Sequence, residues 1–306
     1  MHLLITGGAG FIGSHIAPLA LEQGHQVTIV DNLSQGIPEN IPPGAEFVYG
    51  DILDPENWMG KVAPVDAVIH LAAQISVPAG EKDPLEDLRL NLEGTLKMLI
   101  TGKNLGAKQF RLASSAAVYG SEWRLPLKEG LMVSPMAFYG WSKFTAERYV
   151  FHFAELHGLE AIVLRLANVY GPRQRTQGEG GVVAMFCEAF AQDRLPEIHG
   201  DGSQTRDFVY VGDVARAFLH RLTDPGPARV YNVCTEAATQ VRELATMLAG
   251  LSHKNADDFH RGPTRPGDIH DSVLSSREAE RWGFLAITSL AEGLDLTWKY
   301  FLNRES

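Results

Sequence analysis

The chain of 306 residues is 45% hydrophobic and has a formal net charge of −10 at pH 7. Such a chain can bury a large core and is long enough for one large domain with a smaller one appended. The acidic charge argues against nucleic acid as a partner, because phosphate backbones are bound by clustered cations. No run approaches the ~18 apolar residues of a membrane span, so we expect neither membrane insertion nor a membrane partner.

The first predicted strand begins at Leu3. This leaves no room for a secretory signal, and we therefore expect a cytoplasmic protein. Cys187 and Cys234 form neither a close pair nor a metal-ligand spacing. They are predicted to be buried thiols in a reducing compartment. The 11 histidines show no ligand spacing either, so no metal site is expected.

A glycine-rich turn joins the first predicted strand, residues 3–5, to a predicted helix. Gly7 permits a tight turn, Gly10 lets the backbone approach a pyrophosphate, and Gly13 lets the helix pack closely on the sheet. The first N–H groups of the helix can then bind phosphate oxygens. The pattern predicts a dinucleotide site.

The second predicted strand, residues 27–30, ends in Asp31. This acid lies at about the spacing expected for the carboxylate that binds an adenosine ribose. A carboxylate at this position favours NAD, because it would repel the 2′-phosphate of NADP. The sequence therefore predicts NAD as the cofactor.

Short apolar segments alternate with helical patterns through the first half of the chain. They occupy residues 47–49, 67–72, 110–113 and 161–166. Strands separated by helices predict an α/β fold with a doubly wound parallel sheet of the Rossmann type. Ligands in such sheets bind beyond the carboxyl ends of the strands, so the polar and small residues that follow these segments are expected at the active site.

The character of the chain changes after Pro172, where glycine and proline mark loops between shorter elements. We expect a smaller α/β domain that binds substrate in this part. The predicted NAD-binding domain comprises residues 1–168, with about 207–228 returning to it. The predicted substrate domain comprises residues 169–206 and 229–306.

The candidate catalytic residues are Ser115, Tyr139 and Lys143. Tyr139 and Lys143 are four residues apart, so on a helix both side chains lie on one face. A tyrosine that acts as a base at neutral pH needs its pKa lowered from about 10 towards about 7, which requires ~4 kcal/mol of phenolate stabilisation. A neighbouring ammonium and a positively charged nicotinamide ring can supply it. Ser115 follows a predicted strand and can hydrogen-bond the same substrate hydroxyl.

Motifs along essentially the whole chain resemble those of extended short-chain dehydrogenases/reductases of the NAD-dependent epimerase/dehydratase family. The likeness is greatest to members that invert C4 of a UDP-hexose. The matching segments are 6–15 with 31–32, 50–52, 70–73, 114–120, 139–143, 165–174, 206–211 and 265–268.

The resemblance implies roles for residues at matching positions. The implied cofactor contacts are Gly7, Gly10, Phe11, Ile12, Gly13, Asp31, Asn32, Asp51, Ile52, Leu71, Ala72, Ala73, Asn91, Tyr139 and Lys143. The implied substrate contacts are Ser115, Asn168, Arg206, Arg265 and Asp268. Two guanidiniums can neutralise a nucleotide-sugar diphosphate through forked hydrogen bonds, which explains how an acidic protein would bind an anion.

The implied reaction is reversible inversion at C4 of a UDP-hexose, UDP-glucose or UDP-galactose, through a 4-keto intermediate with NAD tightly bound. Dehydrating members of the family carry an Asp-Glu pair, and decarboxylating members a Glu, where this chain has Ala116 and Ala117. An epimerase of galactose metabolism is therefore favoured over a dehydratase. Family members are homodimers, and the apolar helix faces at 92–100 and 144–153 either pair between subunits or belong to the core.

Three alternatives remain open. Arg175 stands where an acid is common and would pair with a uronic acid, which points to UDP-glucuronate, whereas segment 178–186 resembles the hexose epimerases. Small side chains around the pocket would also admit a UDP-N-acetylhexosamine. A non-catalytic NAD-sensing protein would need no base, and the intact Ser115, Tyr139 and Lys143 argue against it.

Overall fold

A computed structural model of the chain describes residues 1–121, 124–176, 181–224, 229–255, 259–263 and 269–305. The chain divides into two units. The first comprises residues 1–120, 133–165 and 215–231, and the second comprises 121–132, 166–214 and 232–306.

The strands and helices alternate through the first half of the chain, as predicted. Through Tyr170 they are β1 (His2–Thr6), α1 (Gly13–Glu22), β2 (Gln26–Asp31), β3 (Glu46–Tyr49), β4 (Ala67–His70), α2 (Val77–Lys82), α3 (Pro84–Leu88), α4 (Gly94–Asn104), β5 (Gln109–Ser115), α5 (Phe138–His157), β6 (Glu160–Leu166) and β7 (Asn168–Tyr170). A π-helical turn spans Arg89–Glu93, and 3₁₀ helices span Pro38–Asn40, Pro55–Asn57, Met59–Lys61 and Ala116–Tyr119.

The remaining elements are shorter and more mixed. They are α6 (Val182–Ala191), β8 (Glu197–His199), β9 (Thr205–Tyr210), α7 (Val211–Leu219), β10 (Arg229–Val233), β11 (Ala238–Gln240), α8 (Val241–Leu251), β12 (His260–Gly262), β13 (Asp271–Ser272), α9 (Arg277–Arg281) and α10 (Leu290–Glu305). Among the described helices, none combines the length and the apolarity of a transmembrane segment.

The central sheet has seven strands in the order β10-β6-β5-β4-β1-β2-β3. The pairs of β1 with β2 and β4, of β2 with β3, and of β4 with β5 are parallel. Residues 3–5 and 67–69 are fully buried, because strands at the centre of such a sheet are covered on both faces. The strand order reverses between β1 and β4, which is where doubly wound sheets bind ligands. The predicted Rossmann-type α/β fold is confirmed.

β4 ends two residues earlier than the predicted strand 67–72. The N–H groups of Leu71 and Ala72 both donate to Thr6 O at 3.1 Å. The chain therefore turns across the end of β1 instead of continuing along it. This turn brings Leu71, Ala72 and Ala73 next to the glycine-rich loop.

The second unit has its own sheet and core. β9 pairs with β11 antiparallel and with β13 and β7 parallel, and β8 pairs with β12. Three helices cover the core with Phe186 from α6, Leu244 from α8 and Trp298 from α10. Cys187 and Cys234 are buried free thiols, as predicted. Burial raises the pKa of Cys187 to about 12.

The units differ in detail from the predicted domains. The segment that returns to the first unit is 215–231, because β9 and the start of α7 belong to the second unit. Segment 121–132 also belongs to the second unit. Leu127 explains this, since its N–H donates to Val273 O at 2.8 Å and its carbonyl accepts the N–H of Ser275 at 2.8 Å.

Candidate active site

The glycine-rich turn after β1 leaves no room for side chains at Gly7 and Gly13, where a Cβ would meet backbone atoms. Gly7 has a positive φ of 70°, and a Cβ there would lie 2.7 Å from the backbone nitrogen of Ala72. A Cβ at Gly13 would lie 2.5 Å from both Gly7 O and Gly8 Cα. The predicted role of Gly13 was packing of the helix on the sheet, whereas the close contact is with the turn itself. At Gly10 the nearest atom to a Cβ would be 3.2 Å away.

The start of α1 is arranged as an anion site. Phe11 and Ile12 are half-buried in the turn just before the helix. The first turn of α1 carries no acidic side chain. The N–H groups of Ser14 and His15 already donate to Gly10 O at 3.0 Å and to Ile12 O at 3.1 Å, so a pyrophosphate at this end would be bound by N–H groups earlier in the turn.

Acidic residues follow the neighbouring strands β2 and β3. Asp31 is 7% exposed and accepts hydrogen bonds from the N–H groups of Ala9 at 3.0 Å and Leu33 at 2.8 Å. Burial raises its pKa, while these two bonds act in the opposite direction. Asn32 Nδ2 donates to Asp51 Oδ2 at 2.9 Å. Asn32 and Asp51, two of the implied cofactor contacts, are thus bonded to each other.

Ile52 and the segment 71–73 are further implied cofactor contacts. Ile52 is 6% exposed. A Cβ on Gly94 of α4 would lie 2.5 Å from Ile52 Cδ1. Residues 71–73 are half-buried beside Gly7, at the point where the strand order reverses. A cradle that side chains would fill, a helix N-terminus and a buried carboxylate fit a dinucleotide such as NAD.

The three predicted catalytic residues belong to β5 and α5 of the first unit, and these two elements pack together. Ser115 is the last residue of β5, is half-buried and accepts the N–H of Ala117 at 3.2 Å. Tyr139 lies in the first turn of α5 and is 9% exposed. Lys143 follows one turn later, is 5% exposed, and its Nζ donates to Ala113 O at 3.0 Å.

Burial and two nearby carboxylates act in opposite directions on the pKa of Lys143. Burial lowers the pKa of Lys143 to about 8, whereas Asp87 and Glu147 act to raise it. Nearby His70 is neutral, because burial and the charge of Lys143 lower its pKa to about 3. Its ring nitrogens contact Thr6 Oγ1 at 2.7 Å and Thr95 Oγ1 at 3.1 Å.

Asn91 lies in the π-helical turn and is 1% exposed. Its Oδ1 accepts the N–H of Gln74 at 2.9 Å, and its Nδ2 donates to Ser142 Oγ at 3.0 Å and to Asp87 Oδ1 at 3.2 Å. Ser142 in turn donates to Tyr139 O at 3.0 Å. Asn91 therefore supports the helix that carries Tyr139. Asp87 was missed, because nothing in the sequence separates it from an ordinary helix acid.

Two predicted substrate residues lie on paired strands of the second unit. Asn168 begins β7 and is aligned with Phe208 of β9, the strand that carries Arg206. Arg206 Nη1 donates to Thr205 O at 2.8 Å and to His270 O at 3.1 Å. Arg265 and Asp268 lie outside the described residues.

Asp207 is a further acid that the sequence reasoning did not single out, although it lies within the motif of Arg206. It is 1% exposed and accepts the N–H groups of Thr235 at 2.9 Å, Glu236 at 3.1 Å and Leu274 at 3.3 Å. Burial raises its pKa. The side chain joins β9 to two loops and so fixes the strand that carries Arg206.

Ala116 and Ala117 form the start of the 3₁₀ helix after Ser115. Methyl groups therefore follow β5 at the positions where dehydrating and decarboxylating members of the family carry acids. Arg175 is exposed. In segment 178–186, residues 178–180 lie outside the described residues, and residues from Val182 onward belong to α6. Within the described parts of the chain, no group of three histidines, cysteines or acids is placed to bind a metal.

Comparisons with known proteins agree with this geometry. The sequence model of the NAD dependent epimerase/dehydratase family matches residues 3–234. A UDP-glucose 4-epimerase of Mycolicibacterium smegmatis is 37% identical over 314 aligned positions, which cover 99% of this chain and 99% of that protein.

Solved structures match over the whole chain. The UDP-glucose 4-epimerase of Thermotoga maritima, determined with UDP-glucose, has a TM-score of 0.96 and 38% identity, with 100% of both chains covered. The UDP-N-acetylglucosamine 4-epimerase of Methanobrevibacter ruminantium, in complex with UDP-N-acetylmuramic acid, has a TM-score of 0.93 and 32% identity, covering 99% of this chain and 98% of that one.

Proposed function

Because the chain belongs to the NAD-dependent epimerase/dehydratase family, we propose that it catalyses reversible C4 epimerisation of a UDP-hexose, interconverting UDP-glucose and UDP-galactose. One observation carries the proposal. Tyr139 and Lys143 are buried one turn apart on α5, and this helix packs on β5, which ends in Ser115. The relatives that act on UDP-glucose match the chain from end to end.

In this reaction the bound NAD supplies a hydride acceptor that later returns the hydride. Tyr139, as its phenolate, removes the proton of the 4-hydroxyl. The ammonium of Lys143 stabilises that phenolate. Ser115 hydrogen-bonds the same hydroxyl and holds it towards the base. The proton returns from Tyr139 when the 4-keto sugar is reduced on its other face.

Asn168 and Arg206 are proposed to bind the nucleotide-sugar diphosphate. By resemblance, Arg265 would join them and Asp268 would lie near the nucleotide ribose. A guanidinium can grip a phosphate through forked hydrogen bonds, and Arg206 stands on a strand that Asp207 holds in place. When the nucleotide is held firmly, the sugar can still rotate, so that either face of C4 can be turned towards the cofactor site. The second unit would thus bind substrate and the first unit NAD.

Ala116 and Ala117 set the type of reaction. Dehydration and decarboxylation need acids that move protons at other sugar carbons. The methyl groups after Ser115 offer none, which supports simple epimerisation. An exposed Arg175 favours UDP-glucuronate as the second candidate, because its cation would pair with the uronic-acid carboxylate.

We further propose a homodimer. Apolar side chains of α3, α4 and α5 are exposed, namely Leu88 at 49%, Ile100 at 45%, Trp141 at 49% and Tyr149 at 46%. α5 packs against both α3 and α4, so these side chains belong to neighbouring helices of one unit. A pair of such faces can associate across a twofold axis. The two buried free thiols fit a cytoplasmic location.

The test is proton NMR of UDP-glucose incubated with the purified protein and no added NAD. The expected result is growth of the UDP-galactose anomeric signal, which would also show that NAD is retained from the expression host. The Tyr139→Phe protein is the control and should show no growth. Absence of the signal after NAD is supplied would contradict the hexose proposal, and UDP-glucuronate and UDP-N-acetylglucosamine would then distinguish the alternatives.

A further inference from the structure

Ser114, Glu147 and Arg165 form a buried group that joins β5, α5 and β6. Ser114 Oγ donates to Glu147 Oε1 at 2.5 Å. Arg165 Nε donates to the same oxygen at 3.0 Å, and its Nη2 donates to Glu147 Oε2 at 2.7 Å. The three residues are 3%, 1% and 4% exposed. The carboxylate of Glu147 is therefore fixed by two hydrogen bonds from Arg165, and it accepts a third hydrogen bond from the Ser114 hydroxyl.

The arginine is fixed from a second side. Its guanidinium carbon lies 4.8 Å from the centre of the Tyr119 ring, close enough for a cation–π contact. A buried ion pair is weak evidence for stability, because desolvation costs about as much as the pair returns. The group is better explained by what it holds in place.

Ser114 and Glu147 each lie next to residues proposed to act in catalysis. Ser114 lies between Ala113, whose carbonyl accepts Lys143 Nζ at 3.0 Å, and Ser115. Glu147 lies one helical turn after Lys143 on α5, so the two side chains share a face of the helix. The bond between Ser114 and Glu147 consequently ties the end of β5 to the helix that carries Tyr139 and Lys143.

We propose that Glu147 is a positioning residue: clamped by Arg165, it holds Ser114 and thereby fixes the end of β5 against α5, which sets where Lys143 and Ser115 lie relative to Tyr139. This inference rests on the proposed function only through the role of Tyr139 as the base.

The consequence concerns the proton affinity of Tyr139. An ammonium held beside a phenol stabilises the phenolate and lowers the pKa of the phenol. When the end of β5 is released, Ala113 O no longer fixes Lys143 Nζ, and the average distance of the ammonium from the phenolate increases. The pKa of Tyr139 should then rise. A purely structural role would lower the melting temperature and leave this pKa unchanged.

The test uses the Ser114→Ala protein loaded with NAD. The substitution removes only the hydroxyl, so Glu147 keeps both of its bonds to Arg165 and the buried charges stay paired. Tyrosinate formation is followed by ultraviolet absorbance against pH, and the same protein with Tyr139→Phe serves as the blank. We expect the midpoint to move up by about one pH unit, which is about tenfold in proton affinity. At neutral pH kcat should fall about tenfold, with KM within about twofold.

Three further variants keep the result specific. Ser114→Thr retains the hydroxyl and should restore the midpoint. Thr297→Val removes a buried hydroxyl that donates to Gly293 O at 2.6 Å within α10. It should lower the melting temperature to a similar extent without moving the midpoint. Glu147→Gln, if it folds, should shift the midpoint further than Ser114→Ala does.

The outcomes separate the inference from the proposed function. If Tyr139→Phe removes no titrating absorbance from the otherwise unchanged protein in the neutral range, Tyr139 is not the base and the proposed function fails. If that absorbance is present but Ser114→Ala titrates at the same pH, Glu147 and Ser114 do not position the catalytic group, and the inference is overturned while the proposed function stands.

Discussion

At the scale of single residues, the proposed chemistry depends on one phenol. Replacing Tyr139 by phenylalanine removes the proposed base but keeps the ring that packs at the start of α5. We expect kcat for epimerisation to fall by ~10²–10⁴-fold, the usual contribution of a general base, while the NAD content of the purified protein is unchanged. Steady-state kinetics and cofactor release after denaturation measure the two quantities. A kcat within a factor of two of the unchanged enzyme would refute the role of Tyr139.

In the proposed reaction, Lys143 should introduce a dependence on alkaline pH. Burial lowers the pKa of its ammonium to about 8, so the group is charged below that pH and loses its proton as the pH rises through it. Because this charge would stabilise the Tyr139 phenolate, kcat should decline on the alkaline side. In the Lys143→Met protein this decline should vanish, and kcat should be low and rise steadily with pH. An unchanged alkaline decline in that variant would assign it to another group.

At the scale of elements, the turn between β1 and α1 is a tightly constrained part of the candidate cofactor site. A Cβ at Gly13 would collide with backbone atoms of Gly7 and Gly8, which cannot move aside as a side chain can. Gly13→Ala should destabilise the protein by ~1–3 kcal/mol, typical of overpacking, and weaken NAD binding at least tenfold. Chemical denaturation and fluorescence titration with NAD provide the measurements.

Gly60 provides the matched control for this substitution. It lies in the 3₁₀ helix Met59–Lys61 of the same unit, and a Cβ there would meet no atom within 4 Å. Gly60→Ala should therefore leave NAD affinity unchanged and alter the unfolding free energy by at most ~1 kcal/mol. Equal losses in both variants would mean that the turn of β1 and α1 is no more constrained than an open loop.

Residues in local motifs could be predicted, because their spacing alone determines their geometry. Gly7, Gly13, Tyr139 and Lys143 belong to this class, since a turn or one helical turn defines their relation. The fold followed from the alternation of strands and helices. The roles of these residues in binding and catalysis remain predictions.

Contacts between distant segments could not be predicted from the same sequence. Glu147 and Asp87 look like ordinary helix acids until the structure places them beside Ser114 and Gln74. Their importance comes from burial and from partners on other elements, neither of which a helical periodicity reports. Leu127 is a similar case, because only its bonds to residues 273 and 275 assign segment 121–132 to the second unit.

At the scale of the whole molecule, the exposed aromatic side chains of α5 need an explanation. Trp141 and Tyr149 are 49% and 46% exposed, whereas Val150 of the same helix is fully buried. α5 therefore has one face in the core of its unit and an exposed side that carries two large aromatic rings. Exposed rings are typical of association surfaces, and the proposed pairing with a second copy would cover them.

Introducing a charge on that face should separate the subunits. Trp141→Glu would place a carboxylate opposite its own copy or near it, since a twofold interface repeats each residue, and burying unpaired charge is costly. We expect the unchanged protein to have the mass of a dimer by light scattering and the variant to have that of a monomer. Lys299→Glu reverses a charge on α10 that is exposed and paired with Asp295, and it should leave the dimer intact. A monomeric mass for the unchanged protein would rule out the proposed interface, whereas loss of the dimer in both variants would place it elsewhere.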